Sequence, residues 1–241
     1  MIDFHSHCLP AMDDGAVDVN EAAAMLSASA AQGVHTVVAT PHFYRSEETI
    51  ASFLQRRAQA AQRLEGHIPE GMTLVLGAEV LLQKGLSRLD LRDLCIQGTS
   101  RILIELPFMP PENWVYEEME NIALGQRLDV ILAHVDRYMA WYSRDKIASM
   151  MDFPGISVQL NGESFLDAAA FRALRRWLPQ PKRLVFGSDM HHIDRRRPNL
   201  GEAYKRLRRK SLGRRWVAHA EQIGPALLLP PQPILPLEGF F

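Results

Sequence analysis

Short apolar runs rich in β-branched residues alternate with longer amphipathic stretches along nearly the whole chain. The apolar runs predict seven strands, over residues 1–7, 36–42, 73–80, 101–108, 129–134, 156–161 and 183–189. The stretches between them predict helices, including 19–32, 47–66, 111–124, 144–151 and 168–178. Strands that are separated by helices favour an α/β fold with a parallel sheet, and seven strands suit a barrel.

The first predicted helix, over 19–32, has local signals at both ends. Asp18 is a suitable N-cap, and Glu21 follows three residues later, which is the spacing of a capping pair. Gly33 comes directly after the last predicted turn, where a C-cap glycine is common.

Composition restricts the class of protein. The 241 residues are 47% hydrophobic with a net charge of −1, which fits one α/β domain over 1–241 and predicts no general attraction to nucleic acid. A Pro-rich tail begins at about residue 225. MIDFHSH has no basic segment typical of a signal peptide, and no apolar run is long enough to span a membrane. With two cysteines only, we expect no disulfide framework and a cytoplasmic location.

Six of the seven predicted strands carry His, Glu or Asp at or near their carboxyl ends. A single histidine at a strand end is commonly structural, but chance is a poor explanation for six. In a (β/α) barrel these ends converge on one mouth, so the side chains would meet although they are far apart in sequence. The residues are His5, His7, His42, Glu79, Glu105, His134, Asp189 and His191.

A double aspartate, Asp13-Asp14, follows the first strand and adds to this group. Imidazole and carboxylate together suit first-row divalent ions, and nine candidate ligands are too many for one ion. We expect Asp14 to be a ligand. Asp13 is expected to orient a ligand from behind, as carboxylates next to metal-bound histidines often do.

Motifs at these positions resemble the PHP (polymerase and histidinol phosphatase) superfamily, and more narrowly its CpsB/CapC group of manganese-dependent bacterial protein-tyrosine phosphatases. The group's motifs read approximately HSHxLPGxDDG, ATPHH, GxE, IEF, HPERY and SDxHN. This chain has HSHCLPAMDDG, ATPHF, GAE, IEL, HVDRY and SDMHH, and the resemblance extends from residue 1 to about 204. Its departures are Ala11 for glycine, Phe43 for histidine, and Val135-Asp136 for Pro-Glu. None of them removes a ligand.

The resemblance implies a distorted (β/α)7 barrel, TIM-like, with a trinuclear metal site. Its implied ligands are His5, His7, Asp14, His42, Glu79, Glu105, His134, Asp189 and His191. Arg137 and Arg196 match arginines that help to hold the phosphate, although Arg195 and Arg197 flank the second and could exchange roles with it. Manganese is the implied metal, and Fe, Zn and Mg accept similar ligands.

The implied activity is hydrolysis of phosphotyrosine on a protein, such as a tyrosine kinase of capsule or exopolysaccharide export. Metal ions would lower the pKa of bound water, so that hydroxide attacks phosphorus while two arginines hold the phosphate oxygens. One alternative is a related phosphoesterase with a small substrate such as histidinol phosphate. Another is a non-catalytic metal-binding regulator. A deaminase or amidohydrolase shares the HxH motif but fits the paired glutamates poorly.

Two other features carry candidate chemistry. Cys95 and Arg101 have the C-x5-R spacing of cysteine-dependent phosphatases, but Arg101 begins a predicted strand, whereas a phosphate loop needs a following helix, so we expect no cysteine-dependent site here. From Arg195 to Arg215 there are ten Lys or Arg and a single acid, Glu202. This segment is either a solvated helix face or a docking surface for an acidic phosphotyrosine segment or an anionic membrane.

Overall fold

The computed structural model describes residues 1–178 and 180–230 of the chain. Its strands are β1 (Ile2–Ser6), β2 (Thr36–Ala39), β3 (His42–Phe43), β4 (Thr73–Leu76), β5 (Glu79–Leu81), β6 (Arg101–Glu105), β7 (Asp129–Leu132), β8 (Ser157–Asn161) and β9 (Leu184–Gly187). Its α-helices are α1 (Val19–Ala31), α2 (Ile50–Arg63), α3 (Asn113–Glu120), α4 (Arg144–Met151), α5 (Ala168–Trp177), α6 (Leu200–Leu207) and α7 (Ser211–Leu227). All predicted strands and helices are present, with boundaries that shift by a few residues.

The strands pair in parallel within two sheets, in the orders β1-β2-β4 and β3-β5-β6-β7-β8-β9. The α/β class with parallel strands is therefore confirmed, whereas a closed barrel is not shown. Two predicted strands, 36–42 and 73–80, are each divided between the sheets, at Thr40-Pro41 and Gly77-Ala78. Pro41 has no backbone N–H to donate to a continuous ladder, which is one physical reason for the first break.

A seam between β1 and β9 separates the two sheets. In the described part of the chain, a single parallel bridge outside the regular ladders, Ser6 with Met190, connects β1 to the segment that follows β9. The Asp3 carboxylate also connects the two sides of this seam. It accepts hydrogen bonds from the Ser188 backbone N–H at 2.8 Å and from the Ser188 hydroxyl at 2.6 Å. The Asp3 side chain thus adds to the backbone bonds from Asp189 N–H to the His5 carbonyl and from His7 N–H to the Met190 carbonyl, both 2.9 Å.

The start and end of α1 follow the predicted signals. Asp18 accepts a hydrogen bond from the Glu21 backbone N–H at 2.9 Å. The Glu21 carboxylate accepts a hydrogen bond from the Val17 N–H at 2.9 Å, one residue before the N–H expected to donate in a capping pair. Gly33 has a φ of +90°, the left-handed conformation that glycine adopts at low cost after a helix.

A small apolar cluster packs strands of the two sheets against each other. It includes Phe4, Leu103 and Val185 from three strands, and Leu227 from the end of α7. Leu103 and Glu105 are two residues apart on β6, so they face the same side. The first packs in this cluster and the second reaches the carboxyl end of the strands, where the polar site lies.

The helix α7 extends through Leu227, past the predicted start of the Pro-rich tail at about 225. Most of that tail, residues 231–241, lies outside the described residues. Among the helices in residues 1–178 and 180–230, none has the length and apolar character that crossing a bilayer requires.

Candidate metal centre

The structure brings all nine candidate ligands together at the carboxyl ends of the strands. His5 is the next-to-last residue of β1, and Glu105 is the last residue of β6. His42 and Glu79 are the first residues of the short strands β3 and β5. The others lie in the segments that follow strands: His7, Asp14, His134, Asp189 and His191. Except for Asp14 and His42, these side chains are nearly inaccessible to solvent.

Glu79 lies at the middle of the cluster. Its Oε1 is 2.7 Å from Nε2 of His134. Its Oε2 is 3.0 Å from Nε2 of His5, 3.2 Å from Nε2 of His7 and 3.1 Å from Nδ1 of His42. One carboxylate therefore faces four imidazoles, two of which also approach Asp189 Oδ1, at 3.5 and 3.6 Å.

A second group of ligand atoms lies closer to solvent. Oδ1 of Asp14 is 3.3 Å from Nε2 of His191 and 3.6 Å from Nε2 of His42, and the Asp14 side chain is 65% exposed. Four sets of His, Asp and Glu have ligand atoms that all lie within 4.8 Å of one another. They are His7, Asp14, His42 and His191; His5, Glu79 and His134; His5, His7 and Asp189; and His42, Glu79 and Glu105.

The pKa shifts in this cluster indicate a demand for positive charge. Burial alone would raise the pKa of Glu79, but His5, His134 and His7 outweigh it and hold that pKa well below its usual value. Burial opposes protonation of His134, yet Glu105 and Glu79 raise its pKa to about 9. The buried carboxylates are therefore ionised and attract positive charge into the cluster. Protons on the histidines or bound metal ions can supply that charge.

The distances and the donor set fit metal ions. Bonds of about 2.0–2.2 Å to one ion place its ligand atoms roughly 3.0–3.4 Å apart, close to the separations around Glu79. In the described residues, His42 Nδ1 and His191 Nε2 are buried and form no well-directed hydrogen bond, although carboxylate oxygens lie 3.1 and 3.3 Å away. Buried polar atoms normally have one, and a cation would satisfy both nitrogens. The residues therefore fit the divalent ions that the sequence predicts.

Asp13 lies behind the ligands, where the sequence analysis expects it. Its Oδ2 is 2.7 Å from Nδ1 of His7 and also accepts a hydrogen bond from the His42 backbone N–H at 2.9 Å. Burial opposes its ionisation, but the charges and hydrogen bonds of the two histidines prevail and lower its pKa to about 2. The ionised carboxylate holds a proton on Nδ1 of His7, which leaves Nε2 free to face the cluster.

Backbone strain accompanies several of these positions. His134, Asp189 and Arg196 have φ values of +27°, +53° and +49°, which side chains other than glycine rarely adopt. β9 ends at Gly187, two residues before the end of the predicted strand 183–189, so Asp189 and His191 both lie beyond it. Both still reach the cluster, because the turn at Asp189 places its Oδ1 3.6 Å from Nδ1 of His191. Such strain concentrates at functional sites.

Gln159 and Asn161 on β8 are functional candidates that the sequence analysis missed. The Gln159 Oε1 atom is 3.0 Å from Nδ1 of His5 and accepts a bond from the His134 backbone N–H at 2.6 Å. Asn161 donates to Asp189 Oδ2 at 2.8 Å. β8 is the predicted strand without His, Asp or Glu at its end, but its two amides, spaced two apart, were a signal that this strand also faces the site.

We expect Gln159→Leu to weaken metal binding. We also expect it to lower kcat/KM for hydrolysis of a phosphotyrosine peptide, the reaction that the sequence predicts, by about 10- to 100-fold, the usual effect of losing a residue that orients ligands. The side-chain volume is similar, but His5 and the His134 backbone lose their acceptor. A metal competition titration and steady-state kinetics would measure both effects. The control is Gln62→Leu, at an exposed position on α2. A purely structural role would instead change the unfolding midpoint and leave metal affinity and kcat/KM intact.

Arg137 and Arg196 both face the opening above the cluster. Nη2 of Arg196 donates to Asp189 Oδ1 at 2.7 Å, and Nη1 of Arg137 lies 3.5 Å from Asp189 Oδ2.

The two arginines next to Arg196 in sequence contact other residues. Arg197 pairs with Glu202 through contacts of 2.8 and 3.0 Å. Arg195 lies 3.4 Å from Nε2 of His192. The geometry thus favours Arg196 over both as the second arginine of the site.

The opening is a cavity of 540 Å³ with aromatic and charged walls. Its lining includes Tyr44, Phe108, Glu105, Asp14, Arg137 and Arg196. Trp141 packs against Phe108 at a centroid distance of 5.4 Å and is 39% exposed, as expected for a rim residue. Tyr142, the next residue, is buried and does not line the opening.

The two cysteines do not form a second catalytic site. Burial raises the pKa of Cys8 to about 12 and that of Cys95 to about 12, so neither thiol is available as a thiolate near neutral pH. Arg101 begins β6, as the sequence predicts, so no helix follows Cys95 in the manner of a phosphate-binding loop.

Comparisons with known proteins agree with this site. A family model described as capsular polysaccharide synthesis, CpsB/CapC, matches residues 1–222. Tyrosine-protein phosphatase CpsB from Streptococcus pneumoniae is 29% identical over 226 residues, which cover 87% of this chain and 90% of that protein. Tyrosine-protein phosphatase YwqE from Bacillus subtilis is 34% identical over 146 residues, which cover 57% of this chain and 55% of YwqE.

A solved structure has the same fold. It comes from the crystal structures of YwqE from Bacillus subtilis and CpsB from Streptococcus pneumoniae, described as unique metal-dependent tyrosine phosphatases. The match has a TM-score of 0.77 with 24% identity and covers 95% of this chain and 94% of the other.

Proposed function

Because the chain belongs to the capsular polysaccharide synthesis CpsB/CapC family, we propose that it is a metal-dependent phosphatase that hydrolyses phosphotyrosine on a protein. The observation that carries this proposal is the cluster around Glu79, with nine candidate ligands beneath an opening that two arginines and two aromatic rings line. Relatives named tyrosine-protein phosphatase, similar over most of the chain, support it.

The proposed ligands are His5, His7, Asp14, His42, Glu79, Glu105, His134, Asp189 and His191. We propose three divalent ions, because the four ligand sets overlap: Glu79, His5, His7 and His42 each belong to two of them. Manganese is proposed as the native metal because the sequence resemblance implies it. When bound, such ions neutralise phosphate charge and lower the pKa of a coordinated water toward 7. Asp13, Gln159 and Asn161 orient the ligands through the hydrogen bonds described above.

Arg137 and Arg196 are proposed to bind the phosphate oxygens. Their side chains are 41% and 37% exposed, so their guanidinium groups can meet a substrate that enters from solvent. A guanidinium group can donate two parallel hydrogen bonds to a phosphate, which fixes its orientation as well as its position. Both arginines contact Asp189, which holds them in place before substrate binds.

The aromatic walls suit a phenyl ring as the leaving group. Tyr44 stacks on His42 with a centroid distance of 5.1 Å, and Phe108 stacks on His134 with a centroid distance of 5.8 Å. Both rings line the opening, so the ring of a phosphotyrosine can pack against them while its phosphate reaches the cluster. Tyrosine has a pKa of about 10, so it leaves more easily than a serine alkoxide and needs less protonation.

The physiological substrate is proposed to be a tyrosine kinase of polysaccharide export, in keeping with the family's description as capsular polysaccharide synthesis. The proposed location is the cytoplasm, where the two buried free thiols, Cys8 and Cys95, remain reduced.

Metal depletion tests the proposed function. Chelation followed by desalting should reduce hydrolysis of a phosphotyrosine peptide by at least about a hundredfold, because the charge stabilisation that the ions supply amounts to several kcal/mol. Adding Mn²⁺ should restore it, and elemental analysis should find three ions per chain. Histidinol phosphate assayed in parallel is the control substrate. Faster turnover of histidinol phosphate, or full activity without metal, would contradict the proposal.

A further inference from the structure

A second cavity, of 590 Å³, lies between α5 and the junction of α6 with α7. Its apolar surface comes from Phe165, Phe171, Leu207 and Leu212. Its basic side chains are Arg172, Arg175, Arg206, Arg209 and Lys210. We call this cavity the basic groove. No acidic side chain is among the residues that line it in the described part of the chain.

The basic side chains of the groove form no ion pairs with carboxylates in the described residues. The two nearest acids along the sequence of α6 and α7 pair with other arginines: Glu202 with Arg197, and Glu221 with Arg208. Within residues 1–178 and 180–230, the five basic groups of the groove have no carboxylate oxygen within 4.0 Å, and all five side chains are exposed. The Ala170 backbone N–H and, to a lesser degree, Arg206 and Arg172 lower the pKa of Asp167 at the start of α5, so this carboxylate offsets part of their charge without forming an ion pair. Five cations, none of them in an ion pair, around an apolar floor favour an anionic ligand with an apolar part.

The start of α7 adds to this positive potential. Lys210 is its N-cap residue, and the described residues supply no side-chain hydrogen bond to its first turn. The free backbone N–H groups of that turn carry partial positive charge. Ser211 and Leu212, in the same turn, line the basic groove.

The basic groove is close to the metal centre through α5. Asp167 and Ala170, at the start of α5, line a cavity that also includes Arg137, Asp189 and Arg196 of the site. Ala168 and Phe171, which alternate with them in sequence, line the basic groove. A chain that leaves the metal centre across the first turn of α5 therefore arrives at the basic groove.

We propose that the basic groove binds an acidic peptide segment that flanks the phosphotyrosine of the protein substrate, with an apolar side chain on Phe171 and Leu212. This inference rests on the proposed function for its link to catalysis. The positive charges line a concave cavity with an aromatic floor, which suits an extended peptide better than a flat membrane surface. The groove would thereby select among phosphotyrosine substrates without touching the reacting phosphate.

The test uses a triple variant of the full chain, Arg175→Gln, Arg209→Gln and Lys210→Gln, in which three cations of the groove are lost. The control is Lys205→Gln, Arg214→Gln and Arg215→Gln, which removes the same charge from exposed positions outside the groove. The probe is a fluorescent, unphosphorylated peptide rich in Asp and Glu with one Leu, and binding is measured by anisotropy. We expect roughly tenfold weaker binding for the groove variant, the scale of three exposed ion pairs, and little change for the control.

Kinetics then connect binding to turnover. The wild type should hydrolyse a phosphotyrosine peptide with acidic flanks at a higher kcat/KM than one with Ser and Asn flanks. The groove variant should lose that preference while its turnover of p-nitrophenyl phosphate stays unchanged. Equal turnover of both peptides by the wild type, or equal loss in both triple variants, would overturn the proposed docking site. If neither peptide were hydrolysed, the proposed phosphatase function would fail, while the anisotropy measurement would still decide whether the groove binds acidic peptide.

Other occupants give distinct results. Co-sedimentation with phosphatidylserine vesicles that depends on the groove, together with unchanged peptide preference, would assign the surface to a membrane and overturn the proposal. A synthetic peptide of residues 231–241 could also be tested as a competitor. If it displaced the fluorescent acidic probe at a lower concentration than the unlabelled acidic peptide does, the groove would be assigned to this chain's own terminus, and the proposal would be overturned.

Discussion

Replacing Glu79 by Gln is expected to reduce kcat/KM for a phosphotyrosine peptide by roughly a thousandfold, because several kcal/mol of charge stabilisation depend on the ions and each 1.4 kcal/mol is tenfold. Glu79 is the side chain whose two oxygens approach His134, His5, His7 and His42 at 2.7–3.2 Å. An amide offers one neutral oxygen in place of two that share a negative charge. Its NH₂ group would also face imidazole nitrogens that are needed as metal ligands.

Three measurements distinguish the loss of metal from the loss of fold in this variant. Elemental analysis should show fewer ions per chain, kinetics should show the lost turnover, and the thermal unfolding midpoint without metal should stay near that of the metal-free wild type. The matched control is Glu117→Gln, at an exposed position on α3. A Glu79→Gln protein with full metal content and more than about a tenth of the activity would show that Glu79 does not hold the ions.

The pair His5 and His7 illustrates how much of the site could be predicted from the sequence. A spacing of two on a strand predicts that both side chains point the same way, and their Nε2 atoms lie 3.1 Å apart. The other candidate ligands also come together, since parallel strands end at one edge whatever lies between them in sequence. This argument needs only strand positions, which apolar runs indicate well.

Other features depend on tertiary contacts that strand positions do not reveal. The break at Thr40-Pro41, which separates β2 from β3, creates the separate strand in which His42 pairs with Glu79. Ala11 stands where the resembling group has glycine, and its φ of +55° shows why glycine is usual there. Gln159 is neither acidic nor a histidine; its spacing from Asn161 indicates a strand that faces the site, but the ligands that it orients are known only from its contacts with His5 and His134.

The choice among three neighbouring arginines also required the structure. Arg195, Arg196 and Arg197 are indistinguishable by residue type, and the turn that contains them determines which one faces the site. The φ of +49° at Arg196 and the hydrogen bond from the His191 N–H to its carbonyl at 2.9 Å direct its side chain to Asp189. The same turn leaves Arg197 to pair with Glu202 on α6.

Arg196→Gln is therefore expected to lower kcat/KM by roughly a hundredfold, the scale of losing one or two hydrogen bonds between charged groups. Gln keeps a polar side chain at the strained backbone position but lacks the charge and the planar fork of guanidinium. Most of the loss should appear as a higher KM if Arg196 holds the phosphate before the reaction, and as a lower kcat if it acts chiefly on the transition state.

Arg195→Gln and Arg197→Gln are the matched controls, because each removes the same charge within one residue of Arg196. Both should keep kcat/KM within about threefold of the wild type, since surface charge changes away from a site have small effects. Metal content should be measured in all three proteins, because Arg196 also contacts Asp189 Oδ1 at 2.7 Å. A larger loss for Arg195→Gln or Arg197→Gln than for Arg196→Gln would mean that the turn rearranges when substrate binds and that a neighbour takes over the phosphate contact.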